Sequence, residues 1–350
     1  MKHIYILLSF LVFGIFTINA QTTVVTTGTT NPYRLSLTGN DLYISEFNTG
    51  TVSKLDITAP LPTTKTNVIT GLNRPMGIVA VGNFIYVAEH FGNKISRIDI
   101  STPTATISTV ISGLNNPTGL AIKGDELYYA ETGSNSIFKI NLTDAVPTAV
   151  LVANAFNAPY GIFFKDDVLY IAEFSGNKVS TLDVTSGATT GTDFVTGFNA
   201  PIDVTINANT LYVAEYNANK VSKVDILAAV PTKEDLVSGV QTPIGLAANT
   251  SEVYIAEFDA NRISKYNLPT LSVDSFILSK SLKLYPNPSS NFIKVSNMEK
   301  ALNYTVYNSL GQQVLKGKVE KNESIDIQNL SSDLYLFKLE DGNTLKFIKK

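Results

Sequence analysis

Between residues 22 and 269 the chain alternates short runs of β-branched and aromatic residues with turns rich in Gly, Asn, Asp and Pro. A representative stretch has such runs at Pro75 to Val81, Phe84 to Glu89, Asn93 to Ile100 and Ser108 to Ser112. None carries the 3.6-residue period of an amphipathic helix, and their composition favours extended backbone, so each is expected to be a strand. The second run of each group is almost continuously apolar, which predicts strands covered on both faces. From residue 282 onward the runs are shorter still: Phe292 to Val295, Tyr304 to Tyr307, Leu334 to Leu339 and Leu345 to Ile348, with turn residues between. Roughly seven strands in about 70 residues predict a small β-sandwich.

The first pattern repeats. Proline recurs at Pro32, Pro75, Pro117, Pro159, Pro201 and Pro243, and glutamate at Glu46, Glu89, Glu131, Glu173, Glu215 and Glu257. The step is 43 once and 42 thereafter in both series. A tyrosine stands three residues before each glutamate and a small residue, Ser45 or alanine, immediately before it. Four strands per unit of this length make the blade of a β-propeller, in which blades stack face to face. The expected fold is therefore all-β: a six-bladed β-propeller over 21–269, a linker over 270–281 and a C-terminal β-sandwich over 282–350. The sixth unit stops at Lys265 to Asn267 without a fourth strand, whereas Thr22 to Gly28 matches the fourth runs at Asn67 to Gly71 and Asp193 to Gly197. The N-terminal segment is expected to complete the last blade, so that no edge stays unpaired.

The start of the chain reads differently. Met1 to His3 is short and basic, Ile4 to Ile18 is apolar, and Ile18 and Ala20 occupy the −3 and −1 positions of a cut before Gln21. That is the pattern of a signal peptide over 1–20; its apolar run falls short of the ~20 residues a membrane span requires. No later stretch is long enough to span, so no transmembrane segment is expected after its removal.

Composition narrows the chemistry. The chain has no cysteine and no tryptophan, and of its two histidines His3 lies in the signal segment. Without cysteine there is no disulfide framework, thiolate zinc site or cysteine nucleophile. Imidazole acid–base work is confined to His90, and a zinc site with two histidine ligands is excluded. A net charge of −3 gives no electrostatic reason to expect nucleic acid. Charged residues make up 16%, against about 25% in ordinary globular chains, which leaves Thr, Asn and Ser to solvate the surface. Residues 22–277 hold 15 basic and 23 acidic residues, residues 278–350 hold 11 and 7; such asymmetry marks separate modules.

The order Pro-x-Gly-Ile, Leu-Tyr-Val-Ala-Glu and Asn-Lys-Ile-Ser, as at Pro159 to Ile162, Leu211 to Glu215 and Asn93 to Ser96, resembles the NHL-type propeller repeat. That family usually carries Asp where this chain has Glu. A WD-type signature would need tryptophan. The repeat is also similar, more distantly, to the six-bladed senescence-marker and gluconolactonase propellers. That likeness implies a divalent metal on the axis, held by a Glu and several Asn or Asp, with Asp203 in a matching place. It would make the chain a metal-dependent hydrolase or lyase, with calcium as the axial ion. The first blade departs from that pattern: Asn31 to Arg34 puts a cation where an acid is expected. The C-terminal segment resembles the type A C-terminal sorting domain of the type IX secretion system of Bacteroidetes. The residues that carry this likeness are Leu284, Tyr285, Pro286, Asn287 and Pro288, then Tyr307 to Val314 with Gly311, then Leu330 to Tyr335, and the terminal Lys349 and Lys350. Asp333 stands where that family usually has Gly. The resemblance implies the secretion machinery as a partner, passage through the outer membrane, and release or anchoring at the cell surface.

Strand order puts the proline loops and the loops after each glutamate on one face of the disk. Features common to all six copies read as structural, and four glutamates have a basic residue five positions on (Lys94, Lys178, Lys220, Arg262) to pair with. An acidic ring around calcium is the alternative, at the cost of like-charge repulsion. Positions that differ between copies are the candidates for binding. After the glutamates stand Phe47, His90, Thr132, Phe174, Tyr216 and Phe258, a rim that would stack on a sugar or peptide or pack between loops. His90 in that slot reads as a packing residue before a catalyst. Two positions after the proline, four copies have Gly, but the first has Arg34 and the fifth Asp203. Arg74 is the one charge directly before a repeat proline. No catalytic set and no metal set emerges, and the chain reads as a non-catalytic binding module for glycan, peptide or protein.

Overall fold

The computed structural model describes residues 22–269 and 282–350 except 299, 322, 341 and 342. The signal segment over 1–20 and the linker over 270–281 lie outside the described residues. The chain divides into two compact units between Pro269 and Thr270.

Among the described residues the first unit contains six four-stranded sheets. In the second of them Pro75–Val81, Phe84–Glu89, Lys94–Asp99 and Thr106–Ser112 pair in sequence order, all antiparallel. Each sheet opens on its repeat proline, where a missing N–H costs nothing to the ladder. Proline faces the glutamate that ends the second strand, as Pro75 faces Glu89 and Pro201 faces Glu215. The inner strands lie side by side around the axis, and Pro32–Thr38 touches both Pro75–Val81 and Pro243–Ala248, which closes the ring. Burial follows from this stacking. Second strands such as Leu211 to Glu215 are buried throughout because neighbouring sheets cover both faces, while outer strands such as Thr106–Ser112 meet water.

Closure is achieved in the last sheet. Thr23–Thr27 pairs with Arg262–Asn267 and supplies the fourth strand that the sixth repeat lacks. Val25 from this segment packs in a cluster with Leu35, Ile44 and Ile263. The two ends of the unit thus share one sheet and one core, and Thr23–Thr27 covers the edge that Arg262–Asn267 would otherwise leave open.

Among its described residues the second unit has seven short strands in two sheets. Leu284–Tyr285, Phe292–Val295 and Ser324–Asp326 form one; Leu302–Tyr307, Gln313–Val319, Leu334–Leu339 and Thr344–Ile348 form the other. Their inward residues, among them Ile293, Ile325, Val306, Phe337 and Phe347, make one core. Leu334–Leu339 alternates exposed and buried positions without a break, the mark of a strand with one wet face.

Candidate functional site

The proline end of the ring is built by two latches repeated around it. Each glutamate turns back to accept the amide two residues before its proline: Asn73 N–H donates to Glu89, Asn157 N–H to Glu173 and Asn199 N–H to Glu215, each at 2.7 Å. Thr30, Asn115 and Gln241 donate in the same way to Glu46, Glu131 and Glu257. The second latch joins neighbouring sheets. Asn93, Asn135, Asn177, Asn219 and Asn261 take left-handed backbone, and their side-chain carbonyls accept the amide just before the next proline. The Asn261 to Asn31 contact, at 2.7 Å, carries this chain of latches from the last sheet to the first. Asparagine suits the position because it tolerates left-handed geometry and offers an acceptor. The first sheet has Gly50 there; a Cβ would stand 2.1 Å from the Leu72 carbonyl oxygen.

The six glutamates are buried and their charges are met within the protein. Lys94 lies 3.2 Å from Glu89, Lys178 3.5 Å from Glu173, Lys220 3.6 Å from Glu215 and Arg262 2.7 Å from Glu257. Glu46 pairs with Lys65 at 2.7 Å, and Glu215 has Lys233 as a second cation at 3.3 Å. Ser53 and Ser96 donate to Glu46 and Glu89, and Ser134 donates to Glu131 at 2.8 Å. These carboxylates point into the loop backbones of their own sheets.

The residue after each glutamate is held by its own amide. Phe47 N–H, His90 N–H, Phe174 N–H, Tyr216 N–H and Phe258 N–H each donate to the carbonyl just before the repeat proline. Their rings form two groups. Tyr33 stacks on Phe47 at 5.5 Å and meets Phe258 edge-on at 6.1 Å, and Phe47 meets Phe91 at 6.1 Å. Arg74, in left-handed backbone, lays its guanidinium 4.9 Å over the Phe47 ring and donates to Asn48. Across the ring Phe174 lies between Tyr160 at 5.3 Å and Tyr216 at 5.8 Å. The rim aromatics are half-buried, while Phe91 is 57% exposed. His90 is buried, leans on Phe91 at 5.2 Å and places Nδ1 3.3 Å from the Pro117 carbonyl. Burial lowers its pKa below the usual imidazole value.

One step further along the inner strands the axis is closed. Gly77, Gly119, Gly161 and Gly245 let the backbones crowd together: a Cβ on Gly77 would stand 2.0 Å from the Thr118 carbonyl oxygen. Arg34 and Asp203, the two replacements of this glycine, form a buried ion pair. Both cross over Gly161, whose added Cβ would meet Asp203 Oδ1 at 2.5 Å and Arg34 Nη1 at 2.8 Å. Arg34 Nη2–H also donates to the Ile202 carbonyl at 2.6 Å. Asp203 accepts from its neighbour Val204 N–H and from Leu246 N–H across the sheet gap. Burial lowers the guanidinium pKa to about 10, so Arg34 stays charged at neutral pH.

The axial acid is thus engaged by a cation, and among the described residues no three His, Asp or Glu side chains gather as a metal site. The residues present do not fit an axial calcium ion. Behind the pair, away from the aromatic rim, the inner strands line a half-open cavity of about 410 Å³. Sequence reasoning had no sign of this cavity, because its walls are ordinary alternating strand residues. Tyr33, Phe91 and Lys65 were missed as well. Tyr33 and Phe91 flank positions already singled out, and Lys65 stands six residues before Gly71 as Lys233 stands six before Gly239, each beside the glutamate of its own sheet.

In the second unit the residues of the terminal motif converge on the last strand. Asn287 donates to the Lys346 carbonyl and accepts from Ile348 N–H. Lys350 N–H donates to the Ser289 carbonyl, and Lys349 N–H to that of Asp333. Gly311 supplies a left-handed turn residue. Tyr285 is exposed beside this junction.

Residues 283–350 match the secretion system C-terminal sorting domain family. That match marks the chain for export by the type IX secretion system to the cell surface or extracellular space. Among the described residues no helix is long and apolar enough to cross a membrane. No curated protein matches the chain in sequence. Solved structures resemble the first unit in fold. Virginiamycin B lyase from Staphylococcus aureus is 20% identical with a TM-score of 0.53, covering 71% of this chain and 98% of its own. The aldose sugar dehydrogenase from Streptomyces coelicolor, in its PQQ-bound form, is 16% identical with a TM-score of 0.55, covering 71% and 98%. A chain of the nidogen/laminin complex is 14% identical with a TM-score of 0.56, covering 63% and 88%. At these identities the likeness concerns the fold: the chain is a β-propeller followed by a sorting domain.

Proposed function

We propose that this chain is an exported six-bladed propeller of the NHL type that acts as a non-catalytic binding module, taking a glycan or peptide on its proline-loop face. The observation that carries this reading is the pairing of a part-exposed aromatic surface with neutralised acids. Phe47, Phe91 and Arg74 offer flat apolar faces beside a cation, a combination that stacks on sugar rings or aromatic side chains. Behind them the glutamates and Asp203 accept from backbone amides, and all but Glu131 among them also face a cation. His90, the single mature histidine, is buried against a carbonyl, a poor position for proton transfer to a substrate.

The test is an array of glycans and peptides probed with the secreted chain and with Phe47→Ala, Phe91→Ala, Phe174→Ala and Tyr216→Ala. Binding that weakens tenfold or more in the first pair, or in the second, supports the reading and identifies which aromatic group carries the ligand. Binding unchanged in all four removes the rim. Turnover of a lactone in a calcium-dependent manner would instead favour the metal-dependent hydrolase reading.

A further inference from the structure

The axial cavity lies on the other side of the Arg34–Asp203 pair from the aromatic rim and has its own chemistry. Its wall is formed by the later residues of the inner strands, including Leu35, Ala80, Leu120, Ile162, Val204 and Ala248. Arg34 and Asp203 are the one charged pair among its lining residues. A volume of about 410 Å³ falls in the range of small-molecule sites, roughly 300–1,000 Å³. The polar end is not symmetrical. Asp203 has partners on both oxygens, whereas Arg34 Nε is buried and lacks a hydrogen-bond partner. What is left over at that end is a donor. The ion pair is neutral as a whole, so a ligand bearing a full charge would be desolvated there without a counter-charge.

We propose that this cavity binds a small, neutral, largely apolar molecule with one hydrogen-bond acceptor, a carbonyl directed to Arg34 and its hydrocarbon part along the inner strands. The site is separate from the rim and stands whether or not the rim binds a ligand.

Equilibrium dialysis and calorimetry of the secreted chain with 2-nonanone, nonanoate and nonylammonium test the proposal, because the three share a chain length and differ in the head group. The expected result is one 2-nonanone per chain, bound at least tenfold more tightly than either charged analogue. Val81 lines the cavity toward the far end of its strand and is 44% exposed, so Val81→Trp obstructs the cavity without disturbing the core. Ala248→Phe fills it from a second strand. At least one of these is expected to weaken 2-nonanone binding tenfold or more, while Phe91→Ala leaves it unchanged. Absence of 2-nonanone binding, equal binding of all three compounds, undiminished binding in both cavity variants, or loss in Phe91→Ala would each overturn the proposal.

Discussion

Arg34 and Asp203 come from the first and fifth sheets and meet across the propeller axis over the bare backbone of Gly161. They occupy the same position in their repeats, where the other four copies have glycine. Two departures from the repeat therefore compensate each other in charge. A lone cation or a lone acid at this depth would have to be desolvated without a partner.

Removing one member is expected to cost far more than removing both. Arg34→Met leaves a buried carboxylate and should lower unfolding free energy by about 3–5 kcal/mol, whereas Arg34→Met with Asp203→Asn should recover most of that loss. Denaturant unfolding of the single and double variants reads the coupling directly. Additive losses would show that the two side chains do not act as a pair.

The loop latches separate two kinds of hydrogen bond. Glu215 faces Lys220 and Lys233 as well as the Asn199 amide, while Glu131 is held by Ser134 and the Asn115 amide. Glu215→Gln should therefore destabilise more than Glu131→Gln, by about 1 kcal/mol or more, because it leaves the part-buried Lys220 and Lys233 without their shared carboxylate whereas Glu131 faces neutral donors alone. At Asn177, with φ of 53°, alanine loses both the acceptor and the tolerance for left-handed backbone, while glycine loses the acceptor alone. Asn177→Ala is expected to cost about 1–2 kcal/mol more than Asn177→Gly. Melting curves of the four variants provide the comparison.

His90 gives the propeller a small acid sensitivity. Burial lowers its pKa in the folded protein, so the unfolded chain takes up the proton first as pH falls. The stability tied to the neutral ring is fully present above the ordinary value of about 6.5 and declines as pH drops from there toward the lower folded value. The slope in that window is at most about 1.4 kcal/mol per pH unit, one proton's worth. His90→Phe, which places in this slot the residue found at Phe47, Phe174 and Phe258, should flatten the difference between pH 5.5 and 7.5. An unchanged pH profile would show that other groups set it.

Much of this architecture is legible in the sequence because propeller physics is periodic. The Pro and Glu series mark the two strand ends that must face each other, and Thr22 to Gly28 is recognisable as a displaced fourth strand because it shares the β-branched run and Thr-Gly ending of Asn67 to Gly71 and Asp193 to Gly197. Four of the Glu–cation pairs are legible for the same reason, since a residue five positions on lies directly across a hairpin. What escapes is non-periodic. The meeting of Arg34 with Asp203 depends on ring diameter, which no local spacing encodes. The rim rings are visible as a list, but their division into two groups depends on Tyr33 and Tyr160, the two tyrosines that follow a repeat proline, and on Phe91, and only the ring contacts show which rim residue each one meets. The cavity is invisible because it is a property of how six strands fail to fill their own axis.

Ring closure by the N-terminal strand supplies a last test. Thr23–Thr27 contributes one strand to a sheet whose other three come from the far end of the unit, so it joins segments that local folding alone does not hold together. Val25 is almost fully buried in that joint. Val25→Asp puts an unpaired carboxylate into it, and a cost of several kcal/mol follows from desolvation and lost packing. Val25→Thr keeps the β-branched shape and exchanges a methyl for a hydroxyl, so it should cost about 1–2 kcal/mol. A chain shortened to begin at Thr29 should lose the fourth strand altogether and expose the edge at Arg262–Asn267, with protease cleavage concentrated in the last sheet. Hydrogen exchange read sheet by sheet distinguishes the mechanisms. If closure holds the ring, exchange rises first in the last and first sheets; uniform acceleration in all six would mean that each sheet is held by its neighbours irrespective of the joint.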